Sequence, residues 1–441
     1  MPSLHVRHAI CQLRAYLNPE NRWVVLIVEL RYPEAKLNML IPAARLYEPL
    51  SLPVRMLLAF FATAAVFASA LFLDFNIPFL GYGVAAGFLF HLAIRPTARE
   101  VLSVLGFALV LGFLSAYFHL AGVVHLNFTF VLGMLGLASF LVLALRAINS
   151  DGQSRERALW ALAPATVLVF FILGSQHSLN MGSMLRPRTY DLYAFLFDGS
   201  LGFQPSFAMG KLFLVHPWLY QFGAFTYTGI TFAMAILYAI HLHYRQTFTW
   251  DIIEVLFGAA LIGYLFFTIF PVCGPRYGFP AYYPNVPIRY DQLHLVLPEM
   301  IAILPRFPRN GVPSLHMSWA ILMWWSCRRL PRWTQLLGAV YVLITITDTL
   351  GVGEHYAFDL IVAFPFSLSM QALLVGGAPL RSQQRWLPAL AGFAVFLGWL
   401  VLVAFGGLRF LEINPAIPWT LVALSTIGSI VWAYRLPLAK D

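Results

Sequence analysis

The stretch GVGEHYAFDLIVAF, residues 351–364, sets ionisable side chains at the head of a long apolar run. Read as a helix starting near residue 356, it places His355 and Asp359 four apart on one face, so the carboxylate reaches an imidazole nitrogen. Such a partner fixes the imidazole tautomer and raises the basicity of the other ring nitrogen. The apolar run continues to residue 377, long enough to cross a bilayer as a helix. Ionisable residues at membrane depth cost free energy and are functional candidates for that reason.

The rest of the chain shares this apolar character. Of 441 residues, 60% are hydrophobic and only 11% are charged, against roughly 25% charged in soluble proteins. A water-soluble globule is excluded. The formal charge of +9 is read as a marker of membrane orientation, not of nucleic-acid binding. The expected fold is an all-α polytopic membrane bundle of about twelve transmembrane helices. The spans are placed near 54–74, 78–95, 101–122, 127–146, 159–176, 217–241, 252–271, 313–327, 333–350, 356–377, 387–406 and 416–434.

Four segments follow from these spans. Residues 1–53 form a cytoplasmic or interfacial segment without the pattern of a cleavable signal peptide, and 54–158 hold accessory helices. Residues 159–378 hold the central block of spans, and 379–441 add two C-terminal helices. The stretches near 177–216 and 272–312 are expected as ordered loops over the bilayer. Within the first, residues 184–206 are read either as an interfacial helix that shapes lipid access or as a plain amphipathic surface helix.

Lysine and arginine set the sidedness. With both termini cytoplasmic, the inner segments collect Arg95, Arg99, Arg146, Arg245, Arg328 and Arg435, among others. The basic residues left outside fall almost entirely in the two long loops: Arg186, Arg188, Lys211, Arg276, Arg289, Arg306 and Arg309. Cations kept on the unfavoured side point to an anionic ligand there. Cys11 and Cys327 fall inside and Cys273 outside, so neither a disulfide nor a zinc site is expected.

Pro-Ser-Leu-His occurs twice, at residues 2–5 and 313–316. His5 lies in the N-terminal segment with no companions, and coincidence explains it. His316 heads a span on the same side as His355, directly after the basic loop. Pro313 suits a first helical turn, and the amides of Ser314 and Leu315 are expected to point outward as a phosphate site. Arg276, Arg306 and Arg309 would add guanidinium forks that match phosphate oxygens. A histidine at a helix end is more often merely capped or solvated, as expected for His119, His125, His216 and His294. Two histidines, an aspartate and several arginines on one side make a phosphoryl-transfer set.

Pro-Ser-Leu-His followed by His-Tyr-x-x-Asp resembles the type 2 phosphatidic acid phosphatase superfamily, over residues 160–378. Within it the pattern resembles the inositolphosphotransferase branch that contains fungal inositol phosphorylceramide synthase, and it is similar to sphingomyelin synthases. The resemblance implies a six-helix core and transfer through a phosphohistidine. His355 would be the nucleophile, Asp359 its orienting partner and His316 the proton donor and acceptor. Arg276, Ser314 and Arg309 would hold phosphate. Lipid substrates are implied, with no cofactor and no metal. Three departures separate this chain from the phosphatase pattern. Ile269 stands where that branch carries Lys, Leu315 where it carries Gly, and Asp348-Thr349 where it carries Ser-Arg. Both a lipid-alcohol acceptor (transferase) and water (phosphatase) remain open, with the motif style leaning to transfer. A twelve-helix transporter is the competing class, without a visible inverted repeat in its support.

Overall fold

The computed structural model describes residues 78–117, 128–245, 251–285, 299–375 and 382–437. The chain divides into two units, residues 1–58 and 59–441, and every described residue belongs to the second. The N-terminal segment, the span placed at 54–74 and His5 lie outside the described residues.

The first four helices are α1 (Pro78–Ala93), α2 (Ala98–Tyr117), α3 (Phe128–Asn149) and α4 (Gly152–Leu185). A two-residue strand β1 (Arg188–Thr189) leads into α5 (Asp191–Ser200), α6 (Pro205–Val215), α7 (Pro217–Thr228), α8 (Ile230–Arg245) and α9 (Asp251–Ile269). The single turn α10 (Pro275–Gly278), strand β2 (Ile301–Ala302) and α11 (Leu315–Ser326) follow, and Cys327–Arg329 adds a 3-10 turn. The chain closes with α12 (Arg332–Gly351), α13 (Ala357–Leu374), α14 (Gln383–Ala404), the turn α15 (Leu408–Leu411) and α16 (Ala416–Arg435).

Among the described residues eight helices are long and apolar enough to cross a membrane, and α7 with α8, bent by 57°, makes a ninth. These long apolar helices make a multi-pass membrane protein; among the described residues, which leave out the span placed at 54–74, they number eight or nine. α1 has 16 residues, and α11 has only 12. At about 1.5 Å per residue, α11 falls well short of a hydrocarbon core of about 30 Å. Pro331 and the 3-10 turn stop it. Two further expectations are corrected. α4 runs on to Leu185, through the boundary drawn at 158 and past the expected span end at 176. The stretches near 177–216 and 272–312, expected as ordered loops, carry among their described residues the end of α4, helices α5 and α6, the turn α10 and the antiparallel pair β1–β2, with Arg188 opposite Ala302 and Thr189 opposite Ile301.

Two hydrophobic clusters organise the packing. One joins α1, α2, α3 and α4 with the inner face of α8, around Leu80, Phe90, Phe140 and Tyr238. The other surrounds α13 with α5, α9, α11, α14 and α16, around Phe197, Trp325, Phe358, Phe366 and Phe396. α13 is buried for most of its length, and its head carries the sequence that opened the argument.

Candidate active site

Local chemistry places His355. Gly353, at φ +79°, takes the left-handed conformation that glycine adopts without a steric penalty, and this turns the chain from α12 into α13. Tyr356 caps α13, and the Asp359 carboxylate closes a capping box by accepting from the Tyr356 amide at 2.9 Å. The same oxygen, Oδ2, lies 3.2 Å from His355 Nδ1. A carboxylate only accepts, so Nδ1 carries the proton and Nε2 keeps its lone pair. The Ser314 hydroxyl stands 3.2 Å from that Nε2. Both His355 and Asp359 are fully buried.

Ser314 and His316 start α11. The Ser314 hydroxyl also accepts from the Met317 amide, which makes it the N-cap. His316 stacks on Tyr227, centroids 3.8 Å apart, and its ring lies 6.2 Å from that of His355. The backbone of Tyr227 holds one ring nitrogen, and Nε2 has no partner. One expectation fails here. The Ser314 amide does not face outward, because it donates to the Asp359 carbonyl at 3.3 Å and ties α11 to α13. The next amides, Leu315 and His316, are the ones left for an anion.

A cavity of about 450 Å³ opens beside the histidines, and Arg276, Arg306, Asn310, His316, Tyr277 and Glu354 line its polar end. Arg276 is half-exposed, 3.9 Å from Glu354 and in reach of the Tyr220 hydroxyl at 3.5 Å. The Tyr277 hydroxyl donates to Glu354 at 2.7 Å, and burial pushes the Glu354 carboxyl up. Glu354 therefore does not face solvent. His355 itself does not line the cavity. Its neighbours His316, whose ring centroid is 6.2 Å away, and Glu354 do line it.

Arg309 was expected at the phosphate, and the structure places it elsewhere. It is buried, and its guanidinium donates to the carbonyls of Arg186, Ile303, Leu304 and Phe307 and lies 3.3 Å from Cys273 Sγ. With its donors committed, it pins the two long loops together beside the β1–β2 ladder. Arg306, three residues earlier, faces the cavity instead. The sequence holds both arginines, but only the turn around Pro305 and Pro308 decides which one points inward.

Two carboxylates that carried no site assignment prove central. α5 is not an interfacial helix: Asp191, Phe195, Phe197 and Asp198 are all fully buried. Asp191 accepts from the amides of Cys273 and Gly274, at 3.0 and 2.9 Å, and from the Tyr356 hydroxyl at 3.1 Å. Asp198 accepts from the amides of Ala357 and Phe358, at 3.0 and 3.1 Å, satisfying the first orphan donors of α13. Ser206 bonds both Asp198 and the His355 carbonyl, at 3.3 and 3.1 Å. Burial outweighs these donors, pushing Asp191 up to about 6 and Asp198 up to about 8. The pair, seven residues and two helical turns apart, holds the Arg276 loop and the His355 helix on one scaffold. Gly274, at φ +102° and with Glu354 O against its α-carbon, lets those two segments touch. The Tyr283 hydroxyl donates to the carbonyls of Leu350 and Gly351 and so pins its loop to the end of α12.

The result is a multi-pass membrane protein with a buried His–Asp pair, a second histidine beside it and a cavity carrying two arginines. Residues 194–373 match the model of the PAP2 superfamily. The matched segment carries both histidines, Asp359, Ser314, Arg276, Arg306 and Arg309. No curated protein and no solved structure matches the chain.

Proposed function

We propose that the protein is an integral-membrane lipid phosphotransferase that works through a phosphohistidine on the outer membrane face, with both termini cytoplasmic. His355 Nε2 attacks the phosphorus of a lipid phosphoester. An N–P bond forms, the P–O bond to the leaving alcohol breaks, and His316, which enters the step as an imidazolium stabilised by the bound phosphate's negative charge, gives that oxygen its proton. The acceptor hydroxyl then returns a proton to His316, and its oxygen attacks phosphorus and releases His355. Asp359 keeps Nδ1 protonated and balances the charge of the phosphorylated ring. Arg276 and Arg306, with the amides at the head of α11, hold the non-bridging oxygens as charge shifts onto them. Ser314 must turn its hydroxyl away from Nε2 before attack.

The observation that carries this reading is the His355 pair of contacts, Nδ1 to Asp359 and Nε2 to the Ser314 hydroxyl, beside a cavity lined by two arginines. A lipid alcohol is favoured over water as acceptor because His355 is fully buried behind that cavity. Inositol phosphoesters are the donor class that the motif pattern favours. The test is turnover of a labelled phospholipid by purified protein in micelles, with and without ceramide or diacylglycerol. New lipid that requires the acceptor supports transfer. Free phosphate released from a monoester, indifferent to acceptor, would make the same site a phosphatase.

A further inference from the structure

Most of the cavity wall is apolar and forms an arm on the α1 and α4 side, with Ser175, Asn180 and Ser183 of α4 as its polar members. Phe171, Ile172 and Leu179 of α4 line it, with Phe79 of α1, Ile230 just after the bend and Phe267 of α9. α1 and α4 both precede the segment that matches the family model. An aromatic wall joins this arm to the chemistry. Phe171 stands edge-on to Trp319 at 6.1 Å, Trp319 edge-on to His316 at 5.9 Å, and Phe79 edge-on to His316 at 6.4 Å. Trp319 is fixed in turn by its indole N–H, which donates to the Leu256 carbonyl at 2.8 Å.

We propose that this arm holds one hydrocarbon chain of the lipid substrate, so that α1 and α4 set which chain lengths are turned over. The proposal rests on the reading of the site as one that acts on a lipid phosphoester. Three features select this occupant. The arm is continuous with the end that carries Arg276, Arg306 and His316, so a single amphiphile fills both parts with its phosphate against the cations. Its walls are apolar helices of a membrane protein, where a water-filled pocket would leave apolar surface wetted. A volume of about 450 Å³ lies toward the small end of ligand sites, which suits a phosphoester group with one chain and not a whole two-chain lipid. A second groove, lined by Pro365, Gly392, Trp419 and Arg435, includes none of His316, His355, Arg276 and Arg306. A chain seated there would not bring its phosphorus to His316.

The experiment is a chain-length series of phosphoesters with one headgroup, run on the full-length protein and on Ile172→Trp and Phe171→Ala. In the unaltered protein each methylene taken into the arm raises kcat/KM about fourfold, until the arm is full. Ile172→Trp narrows the arm and lowers the long-to-short ratio of kcat/KM by about tenfold or more. Phe171→Ala widens it and moves the optimum to longer chains. Should either variant fail to fold, a lipid phosphoester with a photoreactive chain end is crosslinked to the unaltered protein and the labelled peptides are mapped. Label on α4 or near Phe79 supports the proposal, and label confined to α14 and α16 overturns it. A chain preference that neither variant changes also overturns it. If the unaltered protein turns over no member of the series, the functional reading itself falls, and this proposal with it.

Discussion

Helices α2 and α13 are both apolar and nearly equal in length, at 20 and 18 residues, yet 11% of one apolar window is buried and 72% of the other. α2 turns Leu102, Leu109 and Phe113 outward. α13 keeps polar groups inside and provides for them. Ser369 donates to the Ala389 carbonyl at 2.9 Å, and Asp359 meets His355 and the Tyr356 amide. In hydrocarbon an unpaired polar group costs several kcal/mol, so Asp359 is held at the head of its own helix and Ser369 ties α13 to α14. The working face of a membrane helix is therefore marked by its polar residues and by what they bond, while hydropathy alone does not separate these two helices.

The largest expected effect tests the head of α13. His355→Ala should lower turnover by about 10³-fold or more while leaving folded protein in detergent. Full activity in that variant would remove the mechanism. A smaller effect separates the arginines. Arg309→Ala strands four carbonyls and should destabilise the fold by roughly 3 kcal/mol, read as a lower melting midpoint, with KM little changed. Arg276→Ala and Arg306→Ala should instead raise KM about tenfold, as for a lost charge-assisted contact, with the melting midpoint nearly unmoved. The reverse pattern would return Arg309 to the phosphate.

A pH series comes next. Asp198 rests at about 8 in the fold against an ordinary value of 3.8. A raised folded pKa means that its stabilising contribution is complete below about pH 4 and is lost as pH rises through 8. Over that window the melting midpoint should fall, with a slope of at most about 1.4 kcal/mol per pH unit from this group. Asp198→Asn should flatten the slope, and an unchanged slope would assign it to other groups. The smallest effect is on the lipid-facing side. Leu109→Ala on α2, at a position 76% exposed, should change turnover less than about twofold and stability by less than about 0.5 kcal/mol. A large loss there would mean that α2 is covered by a partner.

How much of this was legible follows the range of the contacts. His355 and Asp359 lie four residues apart, and helical geometry alone brings them together. Ser314 and His316 could be proposed because they head an apolar run with a basic loop before them. Asp191 and Asp198 gave no comparable signal. They sit among aromatics in a segment that reads as amphipathic, and their partners are Cys273, Gly274, Ala357 and Phe358, some 80 to 160 residues onward. Arg306 and Arg309 are indistinguishable by type and nearly so by position.

The chain's composition and the length of its apolar runs determine that it is a helical membrane protein, because a bilayer imposes one length and one polarity on every span. The spacing of His355 and Asp359 determines the relay, because an α-helix repeats every 3.6 residues. The count of true spans, the shortness of α11, the choice of Arg306 over Arg309 and the hold of α5 on both halves of the site were decided only in three dimensions. Each depends on which donor finds which acceptor across long loops, and such pairings are set by packing rather than by local sequence.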